Sequence, residues 1–521
     1  MVRVAFVNMA RYSRQVGKIT YAEPVHLLAM HNISRGEGHT SQVFQFKADE
    51  GASVREIREF KPEVIGLSFI GSPRDCIGYA HALLQVFPET ERPKLIVGGT
   101  DVRHRRGYYV EQLGPYFAGR ESELLFVVGQ GESTVSMLAS AGFKWSDNRL
   151  LAPLAEWTEY DNGFPVVIDP PAWPLDQQSF LRPYPDLLLY RHNAEVKWNV
   201  GCWARCSFCA NEPTALDYRS PDLVLQELAH LRGLGAKNIG IAAANFLADP
   251  HRTSKIVDIL PDDFSYVFFS RVDSLYLAIE GYPDIWRRFS IWRNRIQLGV
   301  ESFLPERLAP DRLGKYPSLR QAMSQEKKLK AILDFFAGTS VIIDAELIWL
   351  DWKMTLEEDE KDREILKALL SAYPDNFQTS NGSFMNYLRY SRGSRLAEEM
   401  KPVDFFDFQR DPRLLFLYAV IETSVRDDPR INWMESAEPW NHQLVVPLLD
   451  YITLCRGVIK ELPVETFTLG PILEIILREE KERDSKVSEA FYAQLPRDLA
   501  EKLRSLFDLA AEEIFGQNSE R

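Results

Sequence analysis

The sequence predicts an α/β chain in three parts: a doubly wound, Rossmann- or flavodoxin-like parallel sheet, a partial (β/α)6 TIM-type barrel, and a helical C-terminal domain. Three observations carry this expectation. Short apolar runs alternate with helical patterns through residues 1–145 and again through 191–400, a proline-rich stretch separates the two, and beyond 400 only helical periodicity remains. At 521 residues the chain exceeds one ordinary domain and fits roughly three units of about 150 residues.

In the first unit, strands are expected over 3–8, 42–46, 64–69, 94–97 and 124–128, each a near-continuous apolar run of the kind buried in parallel sheets. Helices are expected over 23–33, 54–60, 75–86 and 107–113, as crossovers between those strands. Residues 146–190 carry Pro153, Pro165, Pro170, Pro171, Pro174, Pro183 and Pro185. Proline removes a backbone donor and restricts the residue before it, so this stretch is expected to be a linker without regular elements. In 191–400, strands are expected over 196–200, 238–241, 265–269, 295–300, 340–348 and 376–380, and helices over 221–234, 319–336 and 356–372. About six βα repeats fall short of the eight that close a full barrel. Residues 401–521 read as helical, with examples over 413–425, 444–461, 471–481 and 498–515; in the last, Leu499, Leu503, Leu506, Phe507 and Ala510 recur at helical spacing.

Hydrophobic residues at 45% and charged residues at 26% describe an ordinary globular chain. With 61 Lys and Arg against 74 Asp and Glu, the net charge of −13 argues against a nucleic acid as the main partner. No uncharged apolar run reaches 18 residues, so no membrane span is expected. The segment from Met1 to Val7 runs straight into a strand with no signal-peptide pattern, and a cytoplasmic location is expected.

Of the five cysteines, Cys76 and Cys455 stand alone and read as small buried hydrophobes. Cys202, Cys206 and Cys209 form a C-x3-C-x2-C spacing. At about 1% cysteine, two partners at set offsets arise by chance roughly once in ten thousand. Thiolates are soft ligands suited to zinc or to iron–sulfur clusters. Zinc normally takes four protein ligands; no second cysteine pair occurs here, and the nearest downstream histidine, His230, lies inside an expected helix. Three thiolates without a fourth suit a four-iron cluster with one iron left open to a small molecule.

The spacing, the aromatic Phe208 before the last cysteine and the placement after the first barrel strand resemble the radical S-adenosylmethionine (SAM) superfamily. The resemblance implies a 4Fe-4S cluster on Cys202, Cys206 and Cys209, SAM chelated to the open iron, and electron transfer that cleaves SAM to a 5′-deoxyadenosyl radical. It continues along the barrel. Ile296-Gln297-Leu298-Gly299-Val300-Glu301-Ser302 resembles the family's strand-ending GxES, which implies that Glu301 and Ser302 lie at SAM. Ser270-Arg271-Val272-Asp273 is similar to its strand-end arginine, implying Arg271 near the SAM carboxylate or ribose. Leu388-Arg389-Tyr390-Ser391-Arg392-Gly393-Ser394 resembles the late loop that approaches adenine. Where the family often carries an acidic pair after the second strand, this chain has Ala242-Ala243-Ala244-Asn245-Phe246, so Asn245 is expected to hydrogen-bond the SAM amino group without pairing with its charge.

An open parallel sheet binds ligands beyond the carboxyl ends of its strands. Those ends carry Ser68, then Gly98-Gly99-Thr100, then Gly129-Gln130-Gly131-Glu132. Glycine at strand–helix turns is common for structural reasons alone, and no G-x-G-x-x-G follows the first strand, so a dinucleotide is not expected. Placed ahead of the cysteine loop, the combination resembles the cobalamin-binding domain of cobalamin-dependent radical SAM enzymes. That resemblance implies cobalamin held by Ser68, Gly98, Gly99, Gly129, Gln130 and Gly131. The Asp-x-His-x-x-Gly motif that ligates cobalt is missing after the first strand, and His26, His31 and His39 lack its context, so cobalt without a lower histidine is expected.

The combined resemblance implies methyl transfer from methylcobalamin to an unactivated carbon of a small-molecule or peptide substrate, with a reductant protein such as a flavodoxin or ferredoxin. Rearrangement, ring contraction or cyclisation without methyl transfer are alternatives within the same fold, and a non-catalytic iron–sulfur or cobalamin sensor is the alternative from another class. A methylthiotransferase is disfavoured, since the first unit holds only Cys76 and cannot supply a second cluster. No general acid or base stands out, because in such systems the cofactors carry the hard chemistry.

Overall fold

The computed structural model describes residues 1–8, 25–45, 50–69, 73–99, 102–145, 152–180, 193–209, 215–348 and 355–379, with single positions at 351, 353, 395, 493, 497 and 501. The first unit alternates as its apolar pattern dictates: β1 (Arg3–Asn8), α1 (Val25–Gly36), β2 (Thr40–Gln45), α2 (Glu50–Phe60), β3 (Val64–Ser68), α3 (Pro73–Gln85), β4 (Lys94–Gly98), α4 (Val102–Leu113), β5 (Leu124–Val128) and α5 (Gly131–Ser140). Every residue of β3 and β5 is buried, because helices cover both faces of the sheet. Two apolar cores result. Ile65, Leu67, Val97 and Phe126 lie in one, and Phe6, Val64, Ile96 and Leu125 in the other.

The proline-rich stretch corrects the expectation of a linker without regular elements. After the short α6 (Ala152–Ala155), β6 (Thr158–Asp161) and β7 (Phe164–Ile168) extend the first sheet to seven strands in the order β2-β1-β3-β4-β5-β7-β6. Pro165 is tolerated because β7 meets its parallel neighbour β5 only from Val166 onward; Pro165 itself lies opposite Tyr160 of β6.

The second unit is a six-stranded parallel sheet of β8 (Asn193–Val196), β11 (Asn238–Ile241), β12 (Ser265–Arg271), β13 (Arg295–Glu301), β14 (Ile342–Leu347) and β15 (Phe377–Thr379), in the order β15-β14-β13-β12-β11-β8. This is the open, six-repeat arrangement expected. The anticipated first strand divides, however: β8 joins the sheet, while β9 (Asn199–Val200) pairs antiparallel with β10 (Asp217–Tyr218). The outer helices are α7 (Pro221–Gly233), α8 (Pro250–Asp258), α9 (Val272–Gly281), α10 (Pro283–Phe289), α11 (Pro305–Leu308), α12 (Leu319–Phe336) and α13 (Leu356–Ala372). Asp249 caps α8, Ser318 caps α12, and Thr355 with Glu358 forms a capping box on α13, each satisfying backbone donors that a helix start leaves open. The barrel core gathers Trp198, Tyr266, Phe268, Trp286 and Phe289.

Among the described residues no helix is long and apolar enough to cross a membrane. The segment 388–394 and the helices expected beyond 413 lie, apart from position 501, outside the described residues.

Candidate functional site

The cysteine loop starts where β9 ends. Gly201 takes a φ of 92°, open to glycine at little cost, and turns the chain out of the strand. The β9–β10 clip closes the base of the loop, with Val200 opposite Asp217 and Asn199 opposite Tyr218. Within it, the Cys209 amide donates to the Cys206 carbonyl at 3.2 Å, and Trp203 Nε1 donates to the Ala248 carbonyl at 2.9 Å. Cys202, Cys206 and Cys209 are half-buried and none forms a disulfide. Among the described residues no three His, Cys, Asp or Glu side chains stand in the geometry of a single-ion site. A cluster asks for something else: one thiolate on each of three irons, from a compact loop. The donor set, three soft, half-buried sulfurs on one short loop, fits that demand.

Arg271 ends β12 and is buried. Its Nη1 lies 2.8 Å from Cys206 Sγ, its Nε donates to Asp273 at 3.0 Å, and its Nη2 donates to the Lys315 carbonyl at 3.1 Å. The rings of Trp203 and Tyr316 flank the guanidinium at 5.5 Å each. Burial pushes the Cys206 thiol up to about 11, with Arg271 pulling against it. Cation and sulfur thus stand in direct contact.

Glu301 ends β13 with a φ of 60°, a left-handed conformation that costs a non-glycine residue energy, at a register slip against β14. Its carboxylate folds back over its own strand. A methyl group on Gly299 would lie 2.7 Å from Glu301 Oε1, so glycine two residues before the glutamate leaves the space the carboxylate occupies. Glu301 Oε2 accepts from the buried Lys315 Nζ at 2.5 Å. Cys206, Arg271, Glu301 and Lys315 stand within mutual electrostatic reach at the carboxyl end of the barrel strands. That end is where TIM-type barrels build their sites.

Asn245, Ser302 and Phe208, the other residues that the resemblance places at SAM, have protein partners in the structure. Asn245 is fully buried; its Nδ2 donates to Ser274 Oγ at 3.1 Å and its Oδ1 accepts from Ser270 at 3.5 Å, so its amide ties the loop after β11 to β12 and α9. Ser302 is buried too, its hydroxyl 2.8 Å from Asp362 Oδ2 and accepting from the Leu304 amide at 3.0 Å, a structural latch. Phe208 packs half-buried against the barrel core. The sequence missed Lys315 and Tyr316, which follow Gly314 between α11 and α12 and carry no periodic signal.

At the first sheet, the order 2-1-3 puts the switch point between β1 and β3, beside Ser68. Ser68 Oγ lies 2.8 Å from His26 Nε2, and burial lowers His26 to about 4. Gly99 has a φ of 111° and no room for a side chain, since a methyl would lie 2.3 Å from the Phe69 carbonyl oxygen. Gly129 (φ 96°) is crowded by Asp169, and Gly131 by Met30 at 2.7 Å. Backbone packing requires glycine at Gly99, whereas at Gly131 the nearest neighbour is the end of the Met30 side chain. Gly98 and Gln130 are half-exposed, and a methyl on Gly98 would have ordinary clearance from Val127. Across this edge Lys197, five residues before Cys202, pairs with the buried Glu132 at 3.2 Å, which draws that carboxylate below its usual range although burial opposes it. The carboxyl edge of the first sheet therefore adjoins the segment that leads into the cysteine loop.

Neither a family model nor a curated protein sequence matches the chain. Solved structures do. The radical S-adenosylmethionine methyltransferase TsrM from Kitasatospora setae, with tryptophan substrate and the SAM analog aza-SAM bound, superposes at a TM-score of 0.51 and 15% identity, over 71% of this chain and 71% of that one. The cobalamin-dependent S-adenosylmethionine radical enzyme OxsB, in its apo form, superposes at 0.60 and 13% identity, over 100% of this chain and 80% of that one. The fold is that of the cobalamin-dependent radical SAM enzymes.

Proposed function

We propose that this chain is a radical SAM enzyme that binds a 4Fe-4S cluster through Cys202, Cys206 and Cys209, and that it uses cobalamin to methylate an unactivated carbon of a small-molecule or peptide substrate. One observation carries the reading: a three-thiol loop at the mouth of an open barrel, joined by Lys197–Glu132 to the ligand edge of a parallel-sheet domain. Bound there, the cluster with SAM would supply a carbon-centred radical, and cobalamin a methyl group. The chain's own residues bind and orient. Arg271 and Glu301 offer one cation and one carboxylate to the two ends of an amino-acid moiety, while Trp203 and Tyr316 wall the guanidinium. At the first sheet, Ser68, Gly98 and Gln130 would line the cobalamin site, with His26 neutral beside Ser68. A flavodoxin or ferredoxin as reductant and a cytoplasmic setting belong to this reading; nucleic acid and membrane do not.

A second reading is radical rearrangement, ring contraction or cyclisation on the same cofactors; the more extensive superposition, with the cobalamin-dependent S-adenosylmethionine radical enzyme OxsB, supports cobalamin-dependent radical chemistry without singling out methyl transfer. The test is anaerobic reconstitution with iron, sulfide and hydroxocobalamin, followed by quantification of each. About four irons per chain, lost in Cys206→Ala, with one corrinoid per chain, is the expected result. Iron without corrinoid refutes the cobalamin reading, and zinc in its place refutes the radical one. Product mass then decides between the two chemistries, methylation adding about 14 Da.

A further inference from the structure

Lys315 lies outside the regular elements and is buried to 3% exposure. A buried ammonium is tolerated only when its donors are met. Nζ has three donors and three partners: the Gly299 carbonyl at 2.5 Å, the Val300 carbonyl at 3.2 Å and Glu301 Oε2 at 2.5 Å. Those partners are the last three residues of β13, where the register slips and Glu301 turns left-handed. The head group thus clamps the strand end in its strained form and neutralises the carboxylate that folds over Gly299. The backbone of the same residue acts on the other side of the site, its carbonyl accepting from Arg271 Nη2 at 3.1 Å while Arg271 Nη1 reaches Cys206. One residue therefore touches both the strand-end carboxylate and the arginine at the cysteine loop.

We infer that Lys315 is a positioning residue that fixes the Glu301 carboxylate, in place and in charge, for the amino-acid moiety of SAM; this rests on the radical SAM reading above. With its donors spent on protein acceptors, the ammonium orients Glu301 and leaves contact with the ligand to the carboxylate. Removing the head group but keeping the backbone leaves the Arg271 bond to the residue 315 carbonyl intact, so Lys315→Met removes the clamp on the end of β13 without breaking the link to Arg271, and the Glu301→Gln background separates the share that acts through the carboxylate.

The experiment measures SAM affinity by equilibrium dialysis, and the SAM-induced change in the electron paramagnetic resonance spectrum of the reduced cluster, in reconstituted full-length protein. Lys315→Met is expected to retain about four irons, to bind SAM about 10- to 100-fold more weakly, the scale of one lost charge-assisted bond, and to show a diminished spectral change. Lys315→Arg is expected to recover part of both. In a Glu301→Gln background, adding Lys315→Met should alter affinity by less than about twofold, because the two residues act as one unit. This doubly substituted chain also buries no unpaired charge, so the comparison survives if the single variant does not fold. Wild-type affinity and spectrum in Lys315→Met, or the same loss in both backgrounds, would overturn the inference. A wild-type chain that assembles no cluster, or whose cluster spectrum ignores SAM, fails earlier and sinks the radical SAM reading itself.

Discussion

Gly299→Ala tests the geometry of the strand end with a single methyl group. The added carbon would lie 2.7 Å from Glu301 Oε1, 3.4 Å from Oε2 and 3.5 Å from the carboxyl carbon. Ordinary contact requires about 3.4 Å or more, so Oε1 must retreat by roughly 0.7 Å. A free carboxylate would swing aside at small cost, but this one is held on its far oxygen by Lys315 at 2.5 Å. The methyl therefore works against a charge-assisted bond whose net value is about 1.5–3 kcal/mol. If a substantial part of that is lost, SAM affinity should fall about tenfold, while the melting temperature moves little because the strain falls on one side chain. Equilibrium dialysis on reconstituted protein, alongside a thermal melt, reads both quantities. Unchanged affinity in a variant that retains its cluster would refute the view that the carboxylate lies folded over Gly299 when it works.

Two further predictions concern the scaffold. Arg307, fully buried, donates to Asp351 at 2.9 Å, to Asp362, and to the Ile348 carbonyl at 2.6 Å; Arg307→Met leaves buried carboxylates under-compensated and should cost about 3–5 kcal/mol, or a barrel melting point lower by about 6–20 °C, and a loss below about 1 kcal/mol would contradict the burial of this network. His31, fully buried against Ser41 at 3.0 Å, is lowered to about 4 by burial, with Arg35 adding to the effect. The unfolded chain takes up that proton near 6.5 and the folded chain only near 4, so the contribution is present above 6.5 and is lost as pH falls toward 4, about 3 kcal/mol in all. His31→Leu should flatten the acid limb of a stability–pH profile, and an unchanged slope would show that His31 is not the group responsible.

What was legible in the sequence was what lies close together along it. The C-x3-C-x2-C spacing needed no folding to be seen, and β3 and β5 announced themselves as short apolar runs bounded by turn residues. Glu301 was legible as a strand-end glutamate two residues after a glycine, and the structure supplies the reason for that spacing. Lys315 was not, because it meets Glu301 only through a loop with no periodic signal. The partners of Asn245 and Ser302 lie far along the chain, Ser270 and Ser274 for one and Asp362, sixty residues on, for the other, and no local pattern announces them. The proline-rich stretch hides a strand for the opposite reason: the apolar run 164–168 is present in the sequence, but Pro165 argues against a strand that in fact leaves the proline beyond its parallel neighbour.

The stretch after β7 explains how the carboxyl edge of the first sheet and the cysteine loop can be held in fixed relation. Methyl transfer to a substrate radical requires the methyl donor and the radical source to address one carbon, and small errors of placement are costly in rate. A flexible tether would leave that geometry to chance. Here the strap is bonded to both units. From the first unit, Asn32 on α1 donates to the Ser179 carbonyl at 2.8 Å, and Ser133 on α5 donates to the Pro171 carbonyl. From the barrel, the buried Arg219 donates to the carbonyls of Leu175 at 2.7 Å and Gln178 at 2.9 Å, and its guanidinium lies 5.0 Å from the Phe180 ring. Leu175 and Phe180 pack on Ala29 of α1 with Val200 of β9 beside them, one residue before Gly201 opens the cysteine loop. The strap therefore reaches from the helix that carries His26 to the strand that launches the cysteines, and Lys197–Glu132 adds a direct link between the same two edges. Under the proposed chemistry this is where rigidity is most needed, and it is achieved with backbone carbonyls that any strap sequence offers, which is why the prolines alone did not reveal it.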